Sequence, residues 1–253
     1  MTVPGTFDTS ARELIHAGLQ NLDEARSLFR QLSASGFDAA RCGLLLDALQ
    51  HVCDPDVALR NLVDIVNAQV SQGRALDDIM PDDTAFRQLV AVLGVSDAMG
   101  KLMRFRPDLV QAAATDHCNS HLYNHDQRRA HVLESVGADP NDRMSPTATM
   151  DLADAATALR RTYRNQLAAI IAQDTMSDDP IALQPRISSE LSDLADAALE
   201  GALAIARHEI AGSEHCRFAI IGMGKLGARE LNYVSDVDLI YVVKAADADT
   251  GQQ

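Results

Sequence analysis

A mostly α-helical fold with a C-terminal α/β portion is what this sequence predicts, on three observations. Hydrophobic residues make up 47% of the 253 residues but aromatics only 4%, with no Trp, and the chain is rich in Ala, Leu and Asp; that is the profile of a helical protein with a real core. Apolar residues recur at spacings of three and four through most of the first 212 positions. FAII and DLIYVV, both beyond Cys216, are the two runs that read as strands, being short, apolar and partly β-branched or aromatic.

The elements follow in order. After a loose start over residues 1–10, SARELIHAGLQNLDEARSLFRQL carries Leu14, Ile15, Leu19, Leu22, Leu28, Phe29 and Leu32 at helical spacing, and Gly36 is its stop. Ala39 to Val52 forms a second helix, and Asp54-Pro55 opens a third, with proline where a first turn tolerates it. AFRQLVAVLGVS and DAMGKLMRFRPDLV are shorter helices, broken by Gly94 and Pro107. GADPNDRMSPTAT (137–149) and MSDDPIALQP (176–185) read as connectors, with two prolines each. Between them LADAATALRRTYRNQLAAIIAQD is a long helix; after them Ser188 or Ser189 caps another that runs to about Ile210. The expected organisation is a helical region over 1–136, connecting helices over 137–212, and the first strands of an incomplete domain over 213–253.

Charge and cysteines bound the partners. A net charge of -14, with no basic stripe, argues against nucleic acid. The cysteines at 42, 53, 118 and 216 form no CxxC pair and suit reduced thiols. MTVPGTFDTS lacks the basic-then-apolar pattern of a secretion signal, and no apolar run is long enough to span a bilayer. The expectation is a cytoplasmic protein with no membrane partner.

The chemistry concentrates in FAIIGMGKLGARELNYVSDVDLIYVV, residues 218–243. Gly222, Gly224 and Gly227 satisfy GxGxxG after a strand, a weak dinucleotide fingerprint by itself. A Rossmann unit needs a longer helix before the next strand and an acid at that strand's end. Here eight residues, Ala228 to Ser235, separate Gly227 from Asp236, and the second strand ends in Lys244. The aspartates point elsewhere. On a strand, Asp236 and Asp238 project to one face, with Val237 and Leu239 toward the core. Two such carboxylates repel unless a cation lies between them, and oxygen ligands beside a phosphate loop suit Mg²⁺. Glycines admit backbone N–H groups to phosphates, and Lys225 adds positive charge. A glycine loop, a short helix and DxD together form the layout of metal-assisted nucleotidyl transfer.

These residues carry a family resemblance. GMGKLGARELNYVSDVDL is similar to the GxGKLGxxEL…SDxDL signature of the glutamine synthetase adenylyltransferases, members of the nucleotidyltransferase superfamily. LGVSDAMGKLMRFRPDLV, LRRTYRNQLAAIIAQD and ISSELSDLADAALEGALAIA also resemble helices of that family, so the likeness covers roughly residues 85–243. It implies the start of the superfamily's mixed sheet. Family members carry two catalytic domains, one removing AMP from glutamine synthetase and one attaching it. The long helical lead-in from Met1, and GMGKLG followed by ELN, resemble the first, AMP-removing copy. The implied reaction is phosphorolysis: phosphate attacks the AMP–tyrosine phosphodiester and releases ADP. The implied roles are metal binding by Asp236 and Asp238, loop shaping by Gly222, Gly224 and Gly227, and phosphate contacts from Lys225 and Ser235. Glu230 and Asn232 match the motif as structural supports. The implied partners are adenylylated glutamine synthetase, a nucleotide (ADP or ATP), phosphate and a PII-type signal protein.

One departure is visible. The superfamily uses a third carboxylate on a later strand, and Asp247 and Asp249 in the polar tail are poor substitutes, so a truncated piece with weak or no catalysis of its own is expected. Two other readings stand beside this one: a nucleotidyltransferase with a different acceptor, and a helical docking or regulatory module with a vestigial site. Separately, His117, His121 and His125, spaced by four with Cys118 nearby, would share one helix face, though a polar face or loop with coincidental histidines explains them as well.

Overall fold

The computed structural model describes residues 9–114, 123–233 and 235–245. They are mostly helical, with a small sheet near the C-terminus. The described residues fall into two compact units, one within Met1–Ser120 and Ile171–Asp178, the other within His121–Ile170 and Asp179–Gln253.

The first unit holds α1 (Ala11–His16), α2 (Leu22–Ala34), α3 (Ala39–Leu49), α4 (Pro55–Ser71), α5 (Leu76–Ile79), α6 (Asp83–Val95), α7 (Asp97–Met103) and α8 (Pro107–Ala114). Nearly every start is written in the sequence as a short polar side chain bonding the backbone N–H three residues on. Ser10 caps α1 in a reciprocal box with Glu13, Asn21 caps α2, Asp38 α3, Asp54 α4, Asp82 α6 and Ser96 α7. α4 and α6 pack on one another and collect α2, α3, α7 and α8 around them. Phe29, Leu45, Leu59, Leu62, Ile65, Leu89 and Leu93 fill the core.

Three sequence expectations need correction here. The run from Ser10 to Leu32 is two helices, because Gly18 takes φ +82° and Asn21 captures the next N-terminus. The second predicted helix ends at Leu49 rather than Val52. Gly94 does not break a helix. It lies inside α6, where an added Cβ would come within 2.9 Å of Val52 Cβ, so it marks a close approach.

The second unit holds α9 (His125–Ser135), most of α10 (Leu152–Thr175), α11 (Pro180–Glu209), β1 (Cys216–Gly222), α12 (Gly224–Ala228) and β2 (Leu239–Ala245). α9 lies against α11. Arg128 of α9 is buried, and its guanidinium donates to Glu190 of α11 and Gln166 of α10. Arg129 likewise pairs with Glu200 and donates to the Pro140 and Asp142 carbonyls, which fixes the 137–149 connector. α11 starts at Pro180, capped by Asp179, not at Ser188 or Ser189, and it continues through Pro185. That proline removes the donor for the Ile181 carbonyl; Ile181 is 86% exposed, so water can serve it and the helix continues.

β1 and β2 pair antiparallel, from Cys216↔Ala245 to Gly222↔Leu239. A Rossmann unit requires parallel neighbours joined by a crossover helix, so the dinucleotide reading of the glycines fails on topology.

Candidate functional site

The hairpin turns through GMGKLG, where Gly222 and Gly227 are there for space and Gly224 for its left-handed backbone. An added Cβ on Gly222 would meet Leu226 Cγ at 2.8 Å, and one on Gly227 would meet the Gly222 carbonyl oxygen at 2.6 Å. Gly224 takes φ +53° and faces Asp238, whose Oδ2 would lie 3.4 Å from an added Cβ. Met223 N–H donates to the Asp238 carbonyl at 2.9 Å, extending the strand pairing one step past Gly222↔Leu239. Glycine loop and DxD segment are thereby drawn together by the backbone itself. Leu226 and Leu231 anchor the turn from below. Both are buried, in a cluster with Ile170, Ile187, Leu191 and Leu194 from α10 and α11.

The aspartates are placed differently from the strand expectation. β2 begins at Leu239, so Asp236 and Asp238 lie in the segment leading into it. Both are exposed, and Val237 is 39% exposed rather than facing the core. With two strands in the sheet among the described residues, little of this segment is covered. Asp238 is the one that meets the glycine loop. Lys225 is exposed and makes no ion pair among the described residues. The Ser235 hydroxyl donates to Asn232 Oδ1 at 2.8 Å and accepts from Asn232 N–H at 3.2 Å. That reciprocal pair closes the turn that delivers the aspartates. The Glu230 side chain is exposed, and its N–H caps the Lys225 carbonyl at 2.8 Å. Asp247 and Asp249 lie outside the described residues, as do His117, Cys118 and His121.

Asp236 and Asp238 offer exposed oxygen donors, and Asp238 meets the glycine loop; such donors fit a hard cation such as Mg²⁺, which takes few protein carboxylates and keeps open positions for water and phosphate.

Arg229 is the residue that sequence reasoning missed. It ends α12 in the left-handed region (φ 60°, ψ 40°), a position usually taken by Gly or Asn. Its guanidinium donates to Ser189 Oγ at 2.6 Å and Asp193 Oδ1 at 2.7 Å, tying the loop to α11. Nothing in the local pattern marks an arginine for this conformation; the reason lies 36 residues away in Asp193. A cavity of about 640 Å³ opens beside this tie, walled by Phe218 and Ile220 of β1, Gly227, Arg229 and Asp196. Burial pushes the Asp196 carboxyl above the usual range; neighbouring Asp193 pushes it the same way, while His125 and Arg229 oppose.

Comparison with known proteins bears on the whole chain. The family model described as glutamate-ammonia ligase adenylyltransferase matches residues 86–253. A bifunctional glutamine synthetase adenylyltransferase/adenylyl-removing enzyme of Bifidobacterium longum (strain NCC 2705) is 67% identical over 247 residues, covering 98% of this chain and 23% of that protein. Proteins described in the same words from Leifsonia xyli subsp. xyli and Cutibacterium acnes are 36% and 32% identical, over 92% and 94% of this chain and 23% and 24% of their own length. This chain thus spans about a quarter of the length of these relatives. Among the described residues no helix is long and apolar enough to cross a membrane. With the match running over more than half of its length, the chain belongs to the glutamate-ammonia ligase adenylyltransferase family.

Proposed function

We propose that the glycine loop and the Asp236/Asp238 pair form a metal-dependent adenylyl-transfer site, and that the site removes AMP from adenylylated glutamine synthetase. The observation that carries this reading is the meeting of Gly224 with the Asp238 carboxylate across an antiparallel hairpin. It brings a carboxylate oxygen of the DxD segment to the glycine backbone, where a phosphodiester and its cation would both fit. The relatives' names supply the substrate; the direction rests on the resemblance of GMGKLG and ELN to the AMP-removing copy of the motif. The start MTVPGTFDTS, without the pattern of a secretion signal, supports a cytoplasmic site for this reaction.

In the proposed reaction an oxygen of inorganic phosphate forms a bond to the phosphorus of the AMP group. The phosphorus–oxygen bond to the tyrosine breaks, ADP leaves, and the phenolate takes a proton from water. Asp236 and Asp238 hold the cation. Mg²⁺, when bound, neutralises the phosphoryl oxygens and favours in-line attack. Gly222 lets the backbone close on Leu226, and Gly227 lets it close on the Gly222 carbonyl, so that the loop keeps its shape while phosphate groups come and go. Exposed Lys225 sits on the same turn as a mobile positive charge for a phosphate. Ser235 acts through its turn with Asn232, which sets the angle of the aspartates.

The test uses the protein as its own cells make it, with this chain alongside. Each is incubated with adenylylated glutamine synthetase, Mg²⁺ and phosphate, and ADP is measured. ADP formed by the wild type and abolished in Asp236→Asn/Asp238→Asn is the expected result. AMP moved from ATP onto unmodified synthetase, with no ADP from the adenylylated form, would reverse the direction. No transfer in either direction would remove glutamine synthetase as the substrate.

A further inference from the structure

His125 has partners that its sequence neighbours do not reveal. One ligand atom each from His125, Asp193 and Asp196 lie within 4.8 Å of one another, with Asp193 buried and Asp196 half-buried. Asp193 and Asp196 are three apart on one face of α11, where two carboxylates repel without a cation between them. His125 opens α9, which packs on α11, so its ring completes the group from the facing helix. Ligands of a bound transition metal sit roughly 3–3.5 Å apart; a rotation of the half-exposed His125 side chain would close that gap.

The surroundings are those of a ligand set. Arg229 and its bond to Asp193 Oδ1 leave the other oxygen of that carboxylate uncommitted, and such outer hydrogen bonds orient metal-bound carboxylates. Asp126 Oδ1 lies 3.9 Å from His125 Nδ1. One guanidinium faces two carboxylates, so a negative charge is left over beside an imidazole nitrogen on the wall of a cavity open to solvent.

We propose that His125, Asp193 and Asp196 bind one divalent transition-metal ion, separate from the cation of Asp236 and Asp238. An imidazole with two carboxylates favours Zn²⁺, Co²⁺ or Mn²⁺ over Mg²⁺ and Ca²⁺. The ion clips the first turn of α9 to α11. Through Asp193 and Arg229 it also steadies the end of the glycine loop.

The probe is Co²⁺ alone, titrated calorimetrically and by visible absorption into the chelator-stripped chain in the presence of excess Mg²⁺. The expected result is one equivalent of Co²⁺ with the spectrum of nitrogen and oxygen ligands, and a higher melting temperature on binding. Asp196→Asn and His125→Gln each weaken binding about tenfold or more, while Asp236→Asn/Asp238→Asn leaves it unchanged. His125 is exposed, so its variant folds and serves if Asp196→Asn does not. No Co²⁺ uptake, uptake indifferent to both substitutions, uptake lost only with Asp236 and Asp238, or a thiolate-to-cobalt absorption band would each overturn the proposal.

Discussion

Gly227 and Gly43 show how differently two glycines can behave. A methyl on Gly227 would sit 2.6 Å from the Gly222 carbonyl oxygen, whereas one on Gly43, in α3, meets nothing within 4 Å. Gly227→Ala is therefore predicted to destabilise by about 1–3 kcal/mol, and Gly43→Ala to stabilise by up to about 1 kcal/mol, both read from urea unfolding. The glycines of the motif were legible as a loop after a strand, and α12 does follow β1 there; their contact with phosphate belongs to the proposed function. The sequence did not show that Gly222 and Gly227 are also required by the packing of Leu226 and of the loop on itself. Arg229 was not legible at all, since its left-handed backbone is held by Ser189 and Asp193 rather than by any local preference.

At the scale of elements, α9 and α11 are joined by buried charge. Arg128 is 1% exposed and donates to Glu190, itself buried. Arg128→Ala strands that carboxylate and is predicted to cost about 3 kcal/mol or more, measured by thermal and denaturant unfolding; Arg186, 3.9 Å from Glu190 on the solvent side, compensates only in part. The helix starts after Ser10, Asp38, Asp54 and Ser96 were legible, because the cap is a local interaction. The split between α1 and α2 and the early start of α11 were not. Periodicity runs smoothly across the first, and two prolines disguise the second; in each case a capping residue, Asn21 or Asp179, decided the boundary. The strand that carries the DxD pair in the sequence reading begins one to three residues later in the structure, at Leu239, because its start depends on pairing with β1.

At the scale of the molecule, each unit has its own core, and the first can be probed through a cysteine. Cys42 is buried in it, and burial raises its thiol above the ordinary value, so the thiol stays protonated and unreactive at neutral pH. Alkylation followed by peptide mapping is predicted to label exposed Cys53 and Cys216 in the native protein and Cys42 only after unfolding. Labelling of Cys42 at the native rate of Cys53 would contradict the packing of α3. The mostly helical class was legible from composition and periodicity, and the two strands from their β-branched runs. Their antiparallel pairing was not, although it separates this hairpin from a dinucleotide fold. The proposed function requires this hairpin to bind a nucleotide through Mg²⁺ at Asp236 and Asp238. Its most direct test is ADP binding by calorimetry, with and without Mg²⁺, on the wild type and on Asp236→Asn/Asp238→Asn. Binding that requires Mg²⁺ and disappears in the double variant, with the variant's melting temperature unchanged, is the predicted result; equal binding by both proteins, or binding indifferent to Mg²⁺, would contradict it.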